Sequence, residues 1–141
     1  MDHVCKILLA DRNRHVRKYL ERELAGEGYQ VVLAGEGQEL LQLLACQDPP
    51  DLLILDPDIP SYLTAPELIR LLHCRHPAVP VVIHSFMPDA DNYSEIPGVE
   101  VCLEKSEDVT LLKKVIADLI QDSTGKGYSK RMSNSSFSRP P

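Results

Sequence analysis

The run Leu52-Leu-Ile-Leu55 constrains this chain more than any other feature. Entered from Asp51 and closed by Asp56-Pro-Asp-Ile-Pro60, it reads as a strand over 51–55 that is buried on both faces of a sheet. A strand of that kind needs a covering layer on each side. Further strand-like runs lie at 5–10, 30–34, 80–84 and 99–103.

Helix-like periods alternate with these strands. Val16, Leu20 and Leu24 recur at four-residue spacing, predicting a helix over about 14–25 that Gly26 and Gly28 stop. Leu40, Leu41, Leu43 and Leu44 mark a second helix after Gly37. Thr64-Ala-Pro-Glu67 has the capping-box pattern, with Pro in the first turn, and opens a third. Leu111, Leu112, Val115, Ile116 and Leu119 form the face of a last helix, with Glu107 and Asp108 near its positive end. Segment 86–98 has two prolines and few apolar anchors, so a short helix or ordered loop is expected there, the least ordered part of the folded domain. Right-handed crossovers and the doubly buried 5–10 and 51–55 strands predict an α/β fold: a three-layer α/β/α sandwich with a five-stranded parallel sheet in order 2-1-3-4-5.

Charge and composition bound the rest. The chain has 141 residues, 43% of them hydrophobic, enough for one ordinary core. Its formal charge is −6, but residues 123–141 carry four cations and no acid, which leaves −10 on residues 1–122. The expected division is a folded domain at 1–122 and a basic, disordered tail at 123–141. An acidic body argues against direct nucleic-acid binding. No stretch is apolar enough to span a membrane, and the start lacks a signal-peptide pattern. Four widely spaced cysteines (Cys5, Cys46, Cys74, Cys102), with no C-x-x-C pair, suggest buried free thiols and a cytoplasmic location. His73 and His76 lie three apart, but no second cluster completes a metal site, so they read as cations at a helix C-terminus.

Polar residues close three strands: Asp11 after the first, Asp56 after the third and Ser85 after the fourth. Open parallel sheets place their ligand crevice at the carboxyl ends of strands, so these groups suggest a phosphate or metal site. Arg12 stands beside Asp11 where a second acid would suit a metal. Taken singly, each residue has a plainer reading: an Asp as a turn or helix cap, Ser85 bonding its own turn, Lys105 pairing with Glu104 or Glu107, and Ser106 as a helix N-cap.

Taken together, Asp11-Arg12, Asp56, Ser85 and Lys105-Ser106 resemble the receiver domain of two-component response regulators, over roughly residues 4–121. Asp56-Pro-Asp-Ile-Pro60 matches the D-x-x-x-P signature, and Ala34-Gly-Glu-Gly-Gln-Glu-Leu40 resembles the segment leading into the second helix. The resemblance implies a flavodoxin-like fold and a non-enzymatic phosphoacceptor. Asp56 would take a phosphoryl group from a histidine kinase or phosphotransfer protein. Mg²⁺ would be held by Asp11, Asp56 and Asp58, the last through its backbone carbonyl, with its carboxylate returning one acid to the pocket. Lys105 would pair with a phosphoryl oxygen, and Ser85 would donate to another as the switch. Output would pass through contacts with a further protein. No flavin-phosphate loop, cobalamin-loop spacing or G-x-G-x-x-G supports the sister folds.

Four departures bear on function. Arg12 replaces a metal-binding acid and is expected to project into the pocket and pair with Asp56 or Asp58, weakening Mg²⁺ binding. Cys102 stands where such domains carry a swinging aromatic, Ser106 replaces the proline after the lysine, and the segment after Asp56 is one residue longer. These leave a second reading, a pseudo-receiver that binds protein without phosphorylation.

Overall fold

The computed structural model describes residues 3–45, 48–88 and 93–123. Five strands, β1 (Lys6–Ala10), β2 (Gln30–Ala34), β3 (Leu52–Leu55), β4 (Val81–Ser85) and β5 (Val99–Glu104), form one parallel sheet in the order β2-β1-β3-β4-β5. Four helices connect or follow them: α1 (Arg14–Ala25), α2 (Gly37–Leu44), α3 (Ala65–Arg75) and α4 (Thr110–Ser123). Only a 3-10 turn at Tyr93–Glu95 adds regular structure between β4 and β5 among the described residues.

Alternation along the central strands builds two cores. Leu8 and Ala10 of β1, with Leu53 and Leu55 of β3, face α2 and α3 through Leu40, Leu44, Leu68, Ile69 and Leu72. Ile7, Leu9, Leu52 and Ile54 point the other way, against Leu20 and Leu24 of α1 and Leu112, Ile116 and Ile120 of α4. All four residues of β3 are fully buried, as a strand covered on both faces must be. Each fully buried leucine stabilises the fold by roughly 1.5–3 kcal/mol relative to leaving it exposed.

The helix ends follow local chemistry. Asn13 caps α1, its side chain accepting from the Val16 N–H at 3.0 Å. The capping box of α3 forms in full: Thr64 Oγ1 accepts from the Glu67 N–H, and Glu67 Oε1 accepts from the Thr64 N–H at 2.8 Å. Ser106 is not the cap of the last helix. Its hydroxyl accepts from the Asp108 N–H, Asp108 in turn accepts from the Thr110 N–H, and α4 begins only at Thr110. Two successive side-chain turns thus occupy the residues between β5 and α4, a use that Ser and Asp share with capping.

One further expectation needs correction. Cys74 is exposed and Cys5 and Cys102 are half-buried, so these cysteines form no disulfide but are not fully buried; Cys46 lies outside the described residues. Cys74 ends up exposed because α3 buries Leu68, Ile69 and Leu72 and turns position 74 outward. The tail, from residue 124, also lies outside the described residues. No helix among the described residues is long and apolar enough to cross a membrane.

His73 and His76 serve the end of α3. His73 Nε2 meets the Val79 carbonyl oxygen at 2.8 Å, and His76 is the C-cap residue. The His73 ring packs where a side chain at Gly98 would stand, and Gly98 has a φ of 93°. Gly98→Ala therefore forces a left-handed alanine and a clash with His73 together. We expect a loss of at least about 2 kcal/mol of stability. Urea unfolding checks this, and a loss near zero would show that His73 simply moves aside.

Candidate functional site: an acidic pocket with a buried lysine

Parallel strands bring Asp11, Asp56 and Ser85 to one edge of the sheet. The Asp56 N–H donates to the Ala10 carbonyl at 2.8 Å, fixing the end of β3 beside the end of β1. The Asp11 N–H likewise donates to Ala34 at 3.0 Å, continuing the β1–β2 ladder by one residue. A register shift between β4 and β5 near Val81 and Val82 leaves Ser85 opposite Glu104, and the Lys105 N–H then donates to the Ser85 carbonyl at 2.8 Å. Lys105 thereby starts from the β4 end of the pocket and reaches across it.

The buried charges form a compact cluster. Asp56 is 1% exposed and the Lys105 side chain 5%. Lys105 Nζ lies 2.9 Å from Asp11 Oδ2 and 3.3 Å from Asp56 Oδ2, so one cation serves two carboxylates. Glu104 and Glu107, the plainer partners for this lysine, make no ion pair with it among the described residues. Backbone donors complete the arrangement. Asp11 Oδ1 accepts from the Asn13 N–H at 2.8 Å, and Asp56 Oδ1 accepts from the Asp58 N–H at 2.9 Å. Ser85 Oγ accepts from the Met87 N–H at 3.1 Å, which holds its hydroxyl in its own turn.

Arg12 lies across the mouth. Its N–H donates to Asp56 Oδ2 at 3.2 Å, its Nε is 3.6 Å from the same oxygen, and its Nη2 is 4.0 Å from Asp58 Oδ2. The side chain is 45% exposed, so the guanidinium pairs with both acids while one face stays in water. Two cations thus meet three carboxylates. Cys102 packs half-buried against the α2–α3 core and carries no ring to rotate. There is no cis peptide bond at Lys105–Ser106.

The sequence reading missed His84 and Phe86. His84 is 4% exposed, and its Nδ1 has no hydrogen-bond partner. Burial, reinforced by Lys105, lowers its pKa from the ordinary 6.5 to about 4, against the weaker opposing pull of Asp11 and Asp56. The imidazole is therefore neutral at pH 7, beneath the charge cluster. Parity along β4 could have revealed it, since His84 lies two residues from Val82, which faces the α1–α4 layer. Phe86, exposed beyond β4, sets its ring 5.0 Å from Lys105 Nζ.

The chain and its fold match known proteins. The family model for the response regulator receiver domain matches residues 7–117, and the chain belongs to that family. It is a receiver domain of two-component signalling systems. Response regulator MprA of Mycobacterium leprae is 38% identical over 78 residues, 55% of this chain and 33% of that protein. The response regulator MprA of Mycobacterium avium shows the same identity and coverage. The match thus spans about a third of the length of these curated relatives. Among solved structures, the CheY-like receiver domain protein of Methanospirillum hungatei superposes with a TM-score of 0.79 at 20% identity, covering 89% of this chain and 100% of that one. Response regulator TrrA of Thermotoga maritima, crystallised with Mg²⁺ and BeF, superposes at 0.71 and 23% identity, covering 82% and 99%. At these identities the structures speak for the fold.

Proposed function

We propose that Asp56 is the phosphoacceptor of this receiver domain, taking its phosphoryl group from a histidine kinase or phosphotransfer protein and signalling through protein contacts. The observation that carries this reading is the Asp11–Lys105–Asp56 cluster. A buried lysine spans two strand-end carboxylates, and one of them ends the doubly buried strand of a receiver fold. The pseudo-receiver alternative is not favoured, since the curated relatives are response regulators.

The donor set fits a magnesium ion. Asp11, Asp56 and Asp58 offer the hard oxygen ligands that Mg²⁺ prefers. Asp11 Oδ2 is buried with no hydrogen bond, although Lys105 Nζ is 2.9 Å away; this contact is an ion pair without hydrogen-bond geometry, which leaves a lone pair for a metal. When bound, the ion would neutralise charge gathering on the phosphoryl and carboxylate oxygens. The chain's own groups do the remainder. The Asp56 carboxylate attacks phosphorus, and the bond to the donor nitrogen breaks with its electron pair returning to that nitrogen. Lys105 exchanges part of its pairing with Asp56 for a phosphoryl oxygen. Ser85 turns from accepting the Met87 N–H to donating to the phosphoryl group, which moves the chain after β4 and exposes the change to a partner.

Arg12 tunes this chemistry. Its guanidinium supplies positive charge where the ion would add more, so Mg²⁺ binds weakly and phosphorylation is slow at low Mg²⁺. In Arg12→Asp we expect tighter Mg²⁺ binding, on the order of tenfold or more, from reversing a charge within a few ångströms of the site. Titrating Mg²⁺ while following phosphorylation from a small-molecule phosphodonor tests this. Equal Mg²⁺ dependence in wild type and Arg12→Asp would show that Arg12 blocks nothing.

A further inference from the structure

At the opposite edge of the sheet, His3, Cys5 and Asp51 converge where the chain enters β1 and β3. One ligand atom from each lies within 4.8 Å of the other two. His3 Nε2 is 2.9 Å from Asp51 Oδ2, and the Lys6 N–H holds that same oxygen at 2.8 Å. The carboxylate is therefore already aimed, and Asp51 itself is pinned by its N–H donating to the Lys6 carbonyl at 2.7 Å. Cys5 is a half-buried free thiol anchored against the α1–α4 core.

We propose that His3, Cys5 and Asp51 form a binding site for a borderline-soft divalent cation, with Zn²⁺ as the natural occupant. An imidazole nitrogen, a thiolate sulfur and one carboxylate oxygen are zinc's donor types, and they are too soft and too few for Mg²⁺ or Ca²⁺. Tetrahedral zinc holds such atoms about 3.3–3.6 Å apart, given Zn–N near 2.0 Å and Zn–S near 2.3 Å. The His3–Asp51 contact needs to open by a few tenths of an ångström, and the exposed His3 side chain can turn to allow it. Water takes the fourth position. Binding replaces the Cys5 proton, which leaves to solvent as the sulfur–metal bond forms. Occupancy ties the segment before β1 to the entry of β3, and so stabilises the sheet from the pole remote from Asp56.

Co²⁺ and Zn²⁺ titration of the reduced, untagged chain tests the site. In wild type, Co²⁺ should raise a near-ultraviolet thiolate-to-metal charge-transfer band at one equivalent, and Zn²⁺ should abolish the band. Cys5→Ser should lose the band with Cys46, Cys74 and Cys102 still present. His3→Gln, altered at an exposed position that leaves the fold intact, should weaken Zn²⁺ by on the order of tenfold or more, since a direct ligand matters at least as much as its outer-shell partners. Zn²⁺ should also raise the melting temperature of wild type and not that of Cys5→Ser. Absence of the band in wild type, its survival in Cys5→Ser, or equal Zn²⁺ affinity in His3→Gln and wild type would each overturn the proposal.

Discussion

Replacing Lys105 with Met should cost about 3–5 kcal/mol of folding stability in the absence of divalent ions. That is the range for removing one partner from a buried charge cluster. Lys105 Nζ is within 3.3 Å of both Asp11 and Asp56, and all three side chains are almost wholly buried. Methionine fills much the same volume, so the loss reports charge rather than a cavity. Two additions sharpen the expectation. Adding Asp56→Asn to Lys105→Met should recover a large part of the loss, giving a coupling energy of roughly 1–3 kcal/mol. Millimolar Mg²⁺ should stabilise Lys105→Met more than wild type, because the ion then meets carboxylates that no lysine neutralises. Urea unfolding with chelator and with Mg²⁺ reads all of these. A single-variant cost below about 1 kcal/mol would mean that water or Arg12 already neutralises the acids.

His84 should give the folded state a distinctive acid sensitivity. Its pKa is near 4 in the fold and near 6.5 when the chain is unfolded. Between these values the unfolded chain binds a proton at His84 that the native state refuses. Stability from this residue is therefore complete above about pH 6.5 and falls as pH drops towards 4. The slope approaches 1.36 kcal/mol per pH unit, and the whole loss is about 3 kcal/mol. His84→Leu suits the apolar α1–α4 face and cannot titrate. Across pH 4–7, the stability difference between wild type and His84→Leu should move steadily in favour of the variant as pH falls, and it should be flat above pH 7. Parallel curves through that window would show that His84 protonates freely in the fold, or that a rearrangement of Lys105 accommodates its charge.

Much of the fold was legible because its central strands carry doubled burial in their composition. Leu52–Leu55 and Lys6–Ala10 have too many consecutive apolar residues for a one-faced strand, and strand order followed from that. The boundaries of α1 came out at 14–25 because Asn13 caps one end and two glycines follow the other. The strand-end placement of Asp11, Asp56 and Ser85 was also legible, since each directly ends or follows its strand. Arg12 also lies as expected, paired with both Asp56 and Asp58, with its side chain half in water. Local roles were harder. Ser106 and Asp108 looked equally like caps and turn residues, and the chain between β5 and α4 used them as turns. His84 was invisible because two polar residues closing Val81–Ser85 read as the end of the strand, whereas the fold turns His84 inward beneath Lys105. The thiols misled because apolar neighbours in sequence do not guarantee burial: Cys5 just before β1 and Cys102 on the edge strand β5 stay half-buried, while Cys74, between His73 and Arg75, faces outward on α3.

The measurement that tests the central claim most directly is site mapping of the phosphoryl group. The chain is incubated with a small-molecule phosphodonor and Mg²⁺, its intact mass recorded, and the acyl phosphate trapped chemically and located by peptide sequencing. Wild type should gain the mass of one phosphoryl group, sensitive to base and hydroxylamine, at Asp56, and Asp56→Asn should gain none. A wild type that stays unmodified at saturating Mg²⁺, or a modification that persists in Asp56→Asn, would contradict the assignment of Asp56 as the phosphoacceptor.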